Sequence, residues 1–346
     1  MFDRPEFDGH EAVTFINDVD SGLKAIVAVH STRLGPAVGG CRLWHYADES
    51  DALRDALRLS RGMTYKAAMA GLHLGGGKAV VMTEATQSKT PAMMRALGRA
   101  IERMGGNYVT GEDVGTTCDD MAEIRTETAH VMGLPVAHGG SGDPSPNTAL
   151  GCFEGIRASV RHVLGKDDLR DVRVAVQGVG NVGFHLCALL AESGVRLTVS
   201  DVDCSRATHC ARKFAARVVD PSEIFDIDAD VFAPCALGAV LNADTIPRLR
   251  VRIVAGGANN QLESAESGAW LRERAILYAP DYVINAGGMI QLAAEQTGMQ
   301  QSAVCERVRA VAATLLRVYR FANERAVPTG AAADLLAAEI IRRGAA

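Results

Sequence analysis

Residues Val172–Asp201, VRVAVQGVGNVGFHLCALLAESGVRLTVSD, constrain the fold more than any other part of the chain. A β-type run, Val172–Val176, leads into Gly178-Val179-Gly180-Asn181-Val182-Gly183. The pattern predicts a helix from about Asn181 to Glu192, then a second strand, Arg196–Ser200, ending at Asp201-Val202. In such a strand–turn–helix unit the first glycine permits the turn. The second lets backbone approach a pyrophosphate, and the third allows close helix–strand packing. A bare GxGxxG is weak evidence, but here it stands in the context the motif needs. Asp201 lies 18 residues after Gly183, where a carboxylate accepts from a ribose 2′-hydroxyl and repels a 2′-phosphate. Dinucleotide binding is therefore expected, with NAD favoured over NADP; a ligand-free packing turn is the alternative.

The alternation continues downstream. Val231–Ala233 precedes Pro234-Cys235-Ala236, Val251–Ala255 precedes Gly256–Asn260, and Ile276–Ala279 precedes Asp281–Asn285 and Ala286-Gly287-Gly288. The C-terminal ends of parallel strands line the ligand crevice of such sheets. Amides there can bond a carboxamide, a ribose or a substrate, although a lone Asn more often serves a turn.

At 346 residues the chain is long enough for two domains. Its net charge of −5 gives no attraction to nucleic acid or anionic membrane. Eight cysteines form no CxxC pair, and nine histidines form no HExxH, so neither a disulfide framework nor a metal site is indicated. Reduced thiols fit a cytoplasmic compartment. The polar N-terminus, MFDRPEFDGHE, is not expected to be a signal peptide, and no apolar run reaches the length of a membrane span.

The first third reads as strands followed by helices. Ala12–Asn17 and Leu23–His30 flank the turn signal DVDSG, which predicts a hairpin. A third strand is expected around Gly40–Trp44. A helix then follows the acidic cap Asp48–Asp51, with Leu53, Ala56, Leu57 and Ser60 on one face. Thr90 and Pro91 open another helix, with Met93, Met94, Leu97, Ile101 and Met104 as its apolar face. A further helix is expected from about Asp119 to Met132, stopped by Gly133 and Pro135. Between these last two lies NYVTGEDVG (107–115), a short strand ending in two acids. Such acids face a cleft or merely cap and solvate.

The chemistry is expected in RGMTYKAAMAGLHLGGGKAVV (61–81). Lys78 follows the triplet Gly75–Gly77, which is expected to take positive φ and deliver the lysine to the end of a short apolar strand, Ala79–Met82. Burial and a second cation, Lys66, would lower its proton affinity and fit it for proton transfer. A snorkelling surface lysine after a tight turn is the plainer reading. A phosphate loop is excluded, because Leu72 and Ala79 stand where a glycine and a Ser or Thr are needed.

HGGSGDPSP (138–146) reads as a hinge, followed by a helix over Asn147–Leu164 with Gly165 as its C-cap. The C-terminal part is expected to be helical over Ala303–Ala326 and Ala331–Arg342.

Eight segments, in this order, resemble the amino-acid dehydrogenases of the glutamate/leucine/phenylalanine/valine family. They are GPAVGGCRLW, LSRGMTYKAAMAGLHLGGGKAVV, YVTGEDVGTT, GDPSPNTALG, VAVQGVGNVG, FAPCALG, AGGANNQL and YAPDYVINAGG. The resemblance implies an α/β fold: an N-terminal substrate domain with a mixed sheet, and a C-terminal Rossmann NAD-binding domain, with a cleft between them. The expected bounds are 1–140, with a C-terminal helix from about 325 to 346 packing back on it, and 141–324. It implies reversible oxidative deamination of an L-amino acid by NAD to a 2-oxo acid, ammonia and NADH. It also implies a homo-oligomer, an octamer, with dimer or tetramer as alternatives.

By the same resemblance, Lys66 binds the substrate carboxylate, Lys78 activates water at the imine carbon, and Asp113 shuttles protons to and from the amino group. Gly39 and Gly40 lie beside the substrate backbone, and Asn259 near substrate and nicotinamide. Arg42, Thr148, Gly178, Val179, Gly180, Asn181, Val182, Gly183, Asp201, Val202, Cys235, Ala236 and Ala258 fall at cofactor-contact positions.

Val38, Met63, Gly111, Met289 and Leu292 are expected to line the side-chain pocket. Val38 stands where glutamate-acting members carry lysine, so a γ-carboxylate would be buried unpaired, and glutamate is disfavoured. An apolar substrate such as leucine, valine or isoleucine is expected. Gly111 replaces an alanine usual in leucine-acting members, and Met289 replaces a valine. The first opens space and the second fills it, so phenylalanine or tryptophan is the alternative substrate. Cys41 replaces a threonine beside Arg42 and is taken as neutral. A non-catalytic dinucleotide-binding protein on the same scaffold is the remote alternative.

Overall fold

The computed structural model describes residues 2–84, 89–135, 137 and 139–344. His138 of the expected hinge and residues 345–346 of the expected C-terminal helix lie outside the described residues. The chain forms two compact units. One comprises Met1–Gly142 with Glu295–Gly298 and Ala337–Ala346; the other comprises Asp143–Ala294 with Met299–Leu336.

The first unit is built on a five-stranded mixed sheet. β1 (Ala12–Asp18) and β2 (Leu23–Ser31) form the expected hairpin, pairing Ala12 with Val29 and Asp18 with Leu23. β3 (Ala37–Trp44), β4 (Gly75–Met82) and β5 (Tyr108–Glu112) complete the order β1-β2-β4-β3-β5. β4 runs antiparallel to β2 and parallel to β3. Strand alternation sorts the two faces. Leu23, Ala25, Val27, Ala79 and Val81 pack with Met93, Met94, Leu97 and Ile101 of α2 (Pro91–Glu102) and with Met121 and Ile124 of α3 (Cys118–Arg125). Ile26, Ala28 and Val80 meet Ala52, Leu53, Ala56 and Leu57 of α1 (Glu49–Met69). Lys78 shares the parity of Val80 and so belongs to the face that α1 covers.

The caps follow the sequence. Asp48 accepts from the Asp51 N–H at 2.9 Å, and Thr90 accepts from the Met93 N–H at 3.3 Å. Thr117 and Asp120 form a reciprocal capping box at the start of α3.

Two expectations fail in this unit. Gly75–Gly77 does not take positive φ: all three glycines lie within β4. Their value is close approach. A Cβ on Gly75 would strike the Ser31 carbonyl, one on Gly76 the Thr64 backbone, and one on Gly77 the Tyr108 ring at 2.5 Å. The helix expected to reach Met132 stops at Arg125. Thr128 instead bonds Glu102 at 2.6 Å, and Met132 N–H donates to the Thr110 carbonyl, so residues 130–132 extend the sheet edge.

The second unit carries a six-stranded, wholly parallel sheet. Its strands are β6 (Arg173–Gln177), β7 (Arg196–Ser200), β8 (Arg217–Val218), β9 (Val231–Pro234), β10 (Ile253–Val254) and β11 (Leu277–Tyr278), in the order β11-β10-β9-β6-β7-β8. This is the doubly wound Rossmann order, whose switch point lies between β6 and β9. α4 (Ser145–Leu164) ends at Gly165 with φ +67° and packs against α5 (Asn181–Glu192). After α6 (Cys204–Phe214), α7 (Ala265–Glu273), α8 (Asp281–Ile284) and α9 (Gly287–Thr297), the expected single helix over 303–326 is two: α10 (Gln301–Arg309) and α11 (Val311–Arg325). Both pack on α4, and the break falls at Ala310 with no glycine or proline to announce it. α12 (Thr329–Arg343) follows.

Candidate active site

In the first unit the sequence-predicted lysine and acid meet. Lys78, 5% exposed on β4, donates from Nζ to Asp113 Oδ2 at 2.7 Å. Arg42 on β3 donates from Nε to the same oxygen at 3.0 Å. Burial alone would raise the proton affinity of Asp113, but the Lys78 and Arg42 charges outweigh it and hold the carboxyl below its ordinary value. The loop after β5 is fixed by Thr116, whose hydroxyl accepts from the Asp113 N–H at 3.0 Å and lies 2.9 Å from the Cys41 carbonyl. Burial pushes the Cys41 thiol up to about 12, so the residue behaves as a small apolar filler.

The remaining expected residues of this unit lie on β3, β5 and α1. Val38 is buried on β3. A Cβ on Gly40 would approach Asp113 Cβ at 2.7 Å; one on Gly39 would strike the Gly77 carbonyl and lie 3.4 Å from Met63 Cγ. Tyr108 donates to the Gly39 carbonyl at 2.6 Å. Glycine is thus required here for closeness of backbone. Gly111 differs, because a Cβ there meets nothing nearer than the Met132 carbonyl at 3.7 Å. Lys66 stands half-buried in the last turn of α1, the helix that covers the Lys78 face.

Two residues without a local sequence signal extend the cluster. Asp55 Oδ2 accepts from Arg42 Nη1 at 2.9 Å and from the Tyr46 hydroxyl at 2.7 Å. Asp55 is one of several acids in a helix N-terminal half, and only the tertiary fold brings it to Arg42.

In the second unit the glycine loop takes its three parts. Gly178 has φ +88° and lies so close to Ala236 that a Cβ would come within 2.8 Å of the alanine methyl. A Cβ on Gly183 would strike the Gly178 carbonyl. A Cβ on Gly180 would meet nothing nearer than Arg206 Nη1 at 4.0 Å, and no side chain caps the N-terminus of α5. Open space at Gly180 beside uncapped N–H groups suits a pyrophosphate. Val179 is buried while Asn181 is exposed and Val182 half-buried. Asp201 Oδ2 accepts from the Val179 N–H at 2.8 Å, which fixes the acid at the end of β7 beside the loop. Val202 next to it is 90% exposed. Cys235 N–H donates to the Gln177 carbonyl, which brings Cys235 and Ala236 to the switch point.

Asn285 is buried beyond α8. Its Nδ2 donates to Asn259 Oδ1 at 2.7 Å and to the Gly257 carbonyl at 3.2 Å. The Asn259 amide nitrogen is thereby turned away from Asn285, and the Asn285 Oδ1 is buried with no partner among the described residues. Ala258 is buried beside them. Thr148 on α4 donates to the Pro144 carbonyl and would crowd a Cβ on Gly288. Met289 is buried and Leu292 half-buried on α9.

A Rossmann-type unit with an open glycine loop, and a mixed-sheet unit bearing a buried lysine–carboxylate pair, are the architecture of a two-unit α/β dehydrogenase. Residues 10–130 match the profile of the Glu/Leu/Phe/Val dehydrogenase dimerisation domain, and residues 139–334 match the Glutamate/Leucine/Phenylalanine/Valine dehydrogenase profile. The chain belongs to this family and is an amino acid dehydrogenase. It is 47% identical to a leucine dehydrogenase of Thermoactinomyces intermedius over 341 residues, covering 99% of this chain and 93% of that protein. It is 46% identical to an L-tryptophan dehydrogenase of Nostoc punctiforme, covering 99% and 96%. The crystal structure of L-tryptophan dehydrogenase from that organism superposes with a TM-score of 0.86, covering 97% of this chain and 96% of that one. Among the described residues no helix is long and apolar enough to cross a membrane.

Proposed function

We propose that the chain catalyses the reversible, NAD-dependent oxidative deamination of an apolar L-amino acid of the leucine, valine or isoleucine type. The observation that carries the reading is the Lys78–Asp113 pair, two groups of opposite charge joined at 2.7 Å on a sheet face covered by the helix of Lys66. Lys66 binds the substrate carboxylate. Asp113 takes a proton from the substrate amino group and later returns one to the departing ammonia. Lys78 orients water at the imine carbon and moves its proton. A dinucleotide held in the second unit would supply the hydride acceptor. Gly178–Gly183 would hold its pyrophosphate, Asp201 its adenosine ribose, and Asn259 its nicotinamide end. Arg42, Thr148, Val202, Cys235, Ala236 and Ala258 complete the cofactor contacts. Asp201 favours NAD, because a 2′-phosphate would meet a carboxylate.

In this reading Val38, Gly39, Gly40, Met63 and Gly111 are the substrate-facing residues of the first unit, and Met289 and Leu292 are those of the second. The space at Gly111 favours a second reading, an aromatic substrate. NADH formation measured across leucine, valine, isoleucine, phenylalanine and tryptophan separates the two. Aliphatic substrates are expected to give the highest kcat/KM; a higher value for phenylalanine or tryptophan would replace the first reading with the second.

The domain assignment in this reading is 1–140 with the helix from about 325, and 141–324. The enzyme works in the cytoplasm as a homo-oligomer, an octamer by family likeness. Mass measured by light scattering tests the oligomer, and a dimer or tetramer would correct it.

A further inference from the structure

Four charged groups and one phenol lie in a row in the first unit. Tyr46 and Arg42 both donate to Asp55 Oδ2, and Arg42 and Lys78 both donate to Asp113 Oδ2. Arg42 is therefore held at both ends of its fork by carboxylates on different elements: Asp55 on α1 and Asp113 beyond β5. A guanidinium bonded to two carboxylates through two of its nitrogens loses its freedom to swing. The Tyr46 hydroxyl, whose proton is held more tightly through burial and its bond to Asp55, fixes the far carboxylate in turn.

We propose that Asp55, with Tyr46 behind it, is a positioning residue that acts through Arg42 to hold the Asp113 carboxylate against Lys78. The inference rests on the proposed deamination at that pair. Lys78 reaches Asp113 from β4, and Arg42 reaches it from β3. Cys41 lies on the same strand as Arg42, with its thiol kept neutral by burial. Glu112 precedes Asp113 and accepts from the Cys118 thiol on α3 at 2.9 Å. Lys89 is paired with Asp120 at 2.5 Å and donates to the Gly115 carbonyl. Of these groups only Arg42 links Asp113 to α1.

Position and charge predict opposite signs. If Asp55 acted only as a charge, its loss would remove a negative neighbour and let Asp113 ionise at lower pH. If it acts by holding Arg42, its loss releases the guanidinium, Asp113 is left to Lys78 alone, and its carboxyl ionises only at higher pH. The acid limb of kcat/KM reports this coupled pair.

The test compares Asp55→Ala, Arg42→Met and the double variant in the full-length enzyme. Asp55→Ala is expected to lower kcat at least ~10-fold and to move the acid limb to higher pH, in the direction of Arg42→Met. The double variant should be no worse than Arg42→Met alone, because the two residues act as one unit. Tyr46→Phe should give the same sign with smaller size, and it serves where the Asp55 variant folds poorly. A downward or absent shift, or additive losses, would overturn the proposal. Infrared titration of protein labelled with 13C-aspartate, with the Asp113 band assigned by Asp113→Asn, reads the same carboxylate without turnover. Its midpoint should rise in Asp55→Ala, and an unmoved midpoint overturns the inference. Absence of wild-type turnover with every amino acid would instead remove the proposed function.

Discussion

Lys78 donates from Nζ to Asp113 Oδ2 across 2.7 Å, joining an inner strand of the mixed sheet to the loop beyond its edge strand β5. Neither group is solvated enough to act as an ordinary surface charge: Lys78 is buried and Asp113 is mostly enclosed. Their pairing puts an amine and a carboxylate at one point, which the proposed proton relay needs.

Removing either partner should stop the chemistry and leave the other unit unaffected. Lys78→Ala and Asp113→Asn are each expected to lower kcat by about 10²–10⁴-fold. Binding of NADH, followed by its fluorescence, should change little, since the glycine loop belongs to a different compact unit. Turnover within threefold of wild type in Lys78→Ala would take that lysine out of the mechanism.

The glycines make a graded prediction. Gly76→Ala would drive a methyl into the Thr64 backbone, with the Ser60 carbonyl also at 2.5 Å. Backbone cannot yield as a flexible side chain does, so overpacking should cost about 3 kcal/mol or more, seen as a lower urea midpoint. Gly111→Ala meets only ordinary contact and should be neutral or stabilising by about 0.4–1 kcal/mol. If Gly111 lines the pocket, the added methyl should lower kcat/KM for phenylalanine more than for valine, by ~10-fold. An unchanged ratio would place Gly111 outside the pocket.

The pattern of success in the sequence follows the range of the forces involved. The hairpin, the caps at Asp48 and Thr90, the α5 span and the strand–glycine–helix unit rest on contacts a few residues apart, and local chemistry announced them. The glycine triplet was visible as a feature, but its cause was not. Positive φ is a local property, whereas the contacts with Ser31, Thr64 and Tyr108 come from three other elements. The overlong third helix has the same origin: residues 130–132 pair with β5, and helical periodicity in that stretch carried no trace of the pairing. Lys78 and Asp113 each carry a local signal of their own, a glycine triplet and a strand end, and only family likeness joins them. Asp55 and Tyr46 stood out in neither way.

Asp201 gives a cofactor prediction. Its two oxygens accept from the Val179 and Asp203 N–H groups, so the carboxylate is fixed at the end of β7. Asp201→Ser removes the charge while keeping an acceptor. The ratio of kcat/KM with NADP to that with NAD should rise at least ~10-fold, as a like-charge clash costs several kcal/mol. A constant ratio would mean that another group sets the preference.

Acid sensitivity should begin in the first unit, at a buried histidine. His30 bonds the Thr64 hydroxyl at 2.8 Å and packs edge-on against His10 with ring centroids 4.9 Å apart. Burial, then the neighbouring His10, lowers its pKa from 6.5 to about 4, against the opposing pull of Asp8. The unfolded chain therefore takes up this proton near pH 6.5, whereas the folded chain refuses it until about pH 4. A lowered histidine pKa contributes stability that is complete above the unfolded value and is lost as pH falls through that window. The loss amounts to about 3 kcal/mol at its limit. His10 is shifted in the same direction, with burial as its leading cause, and steepens the slope. Urea unfolding of wild type and His30→Gln at pH 7 and pH 5 checks this. The wild-type advantage over the variant should shrink on acidification, because the variant has no proton to refuse. An advantage of equal size at both pH values would show that His30 enters the folded state with its ordinary proton affinity.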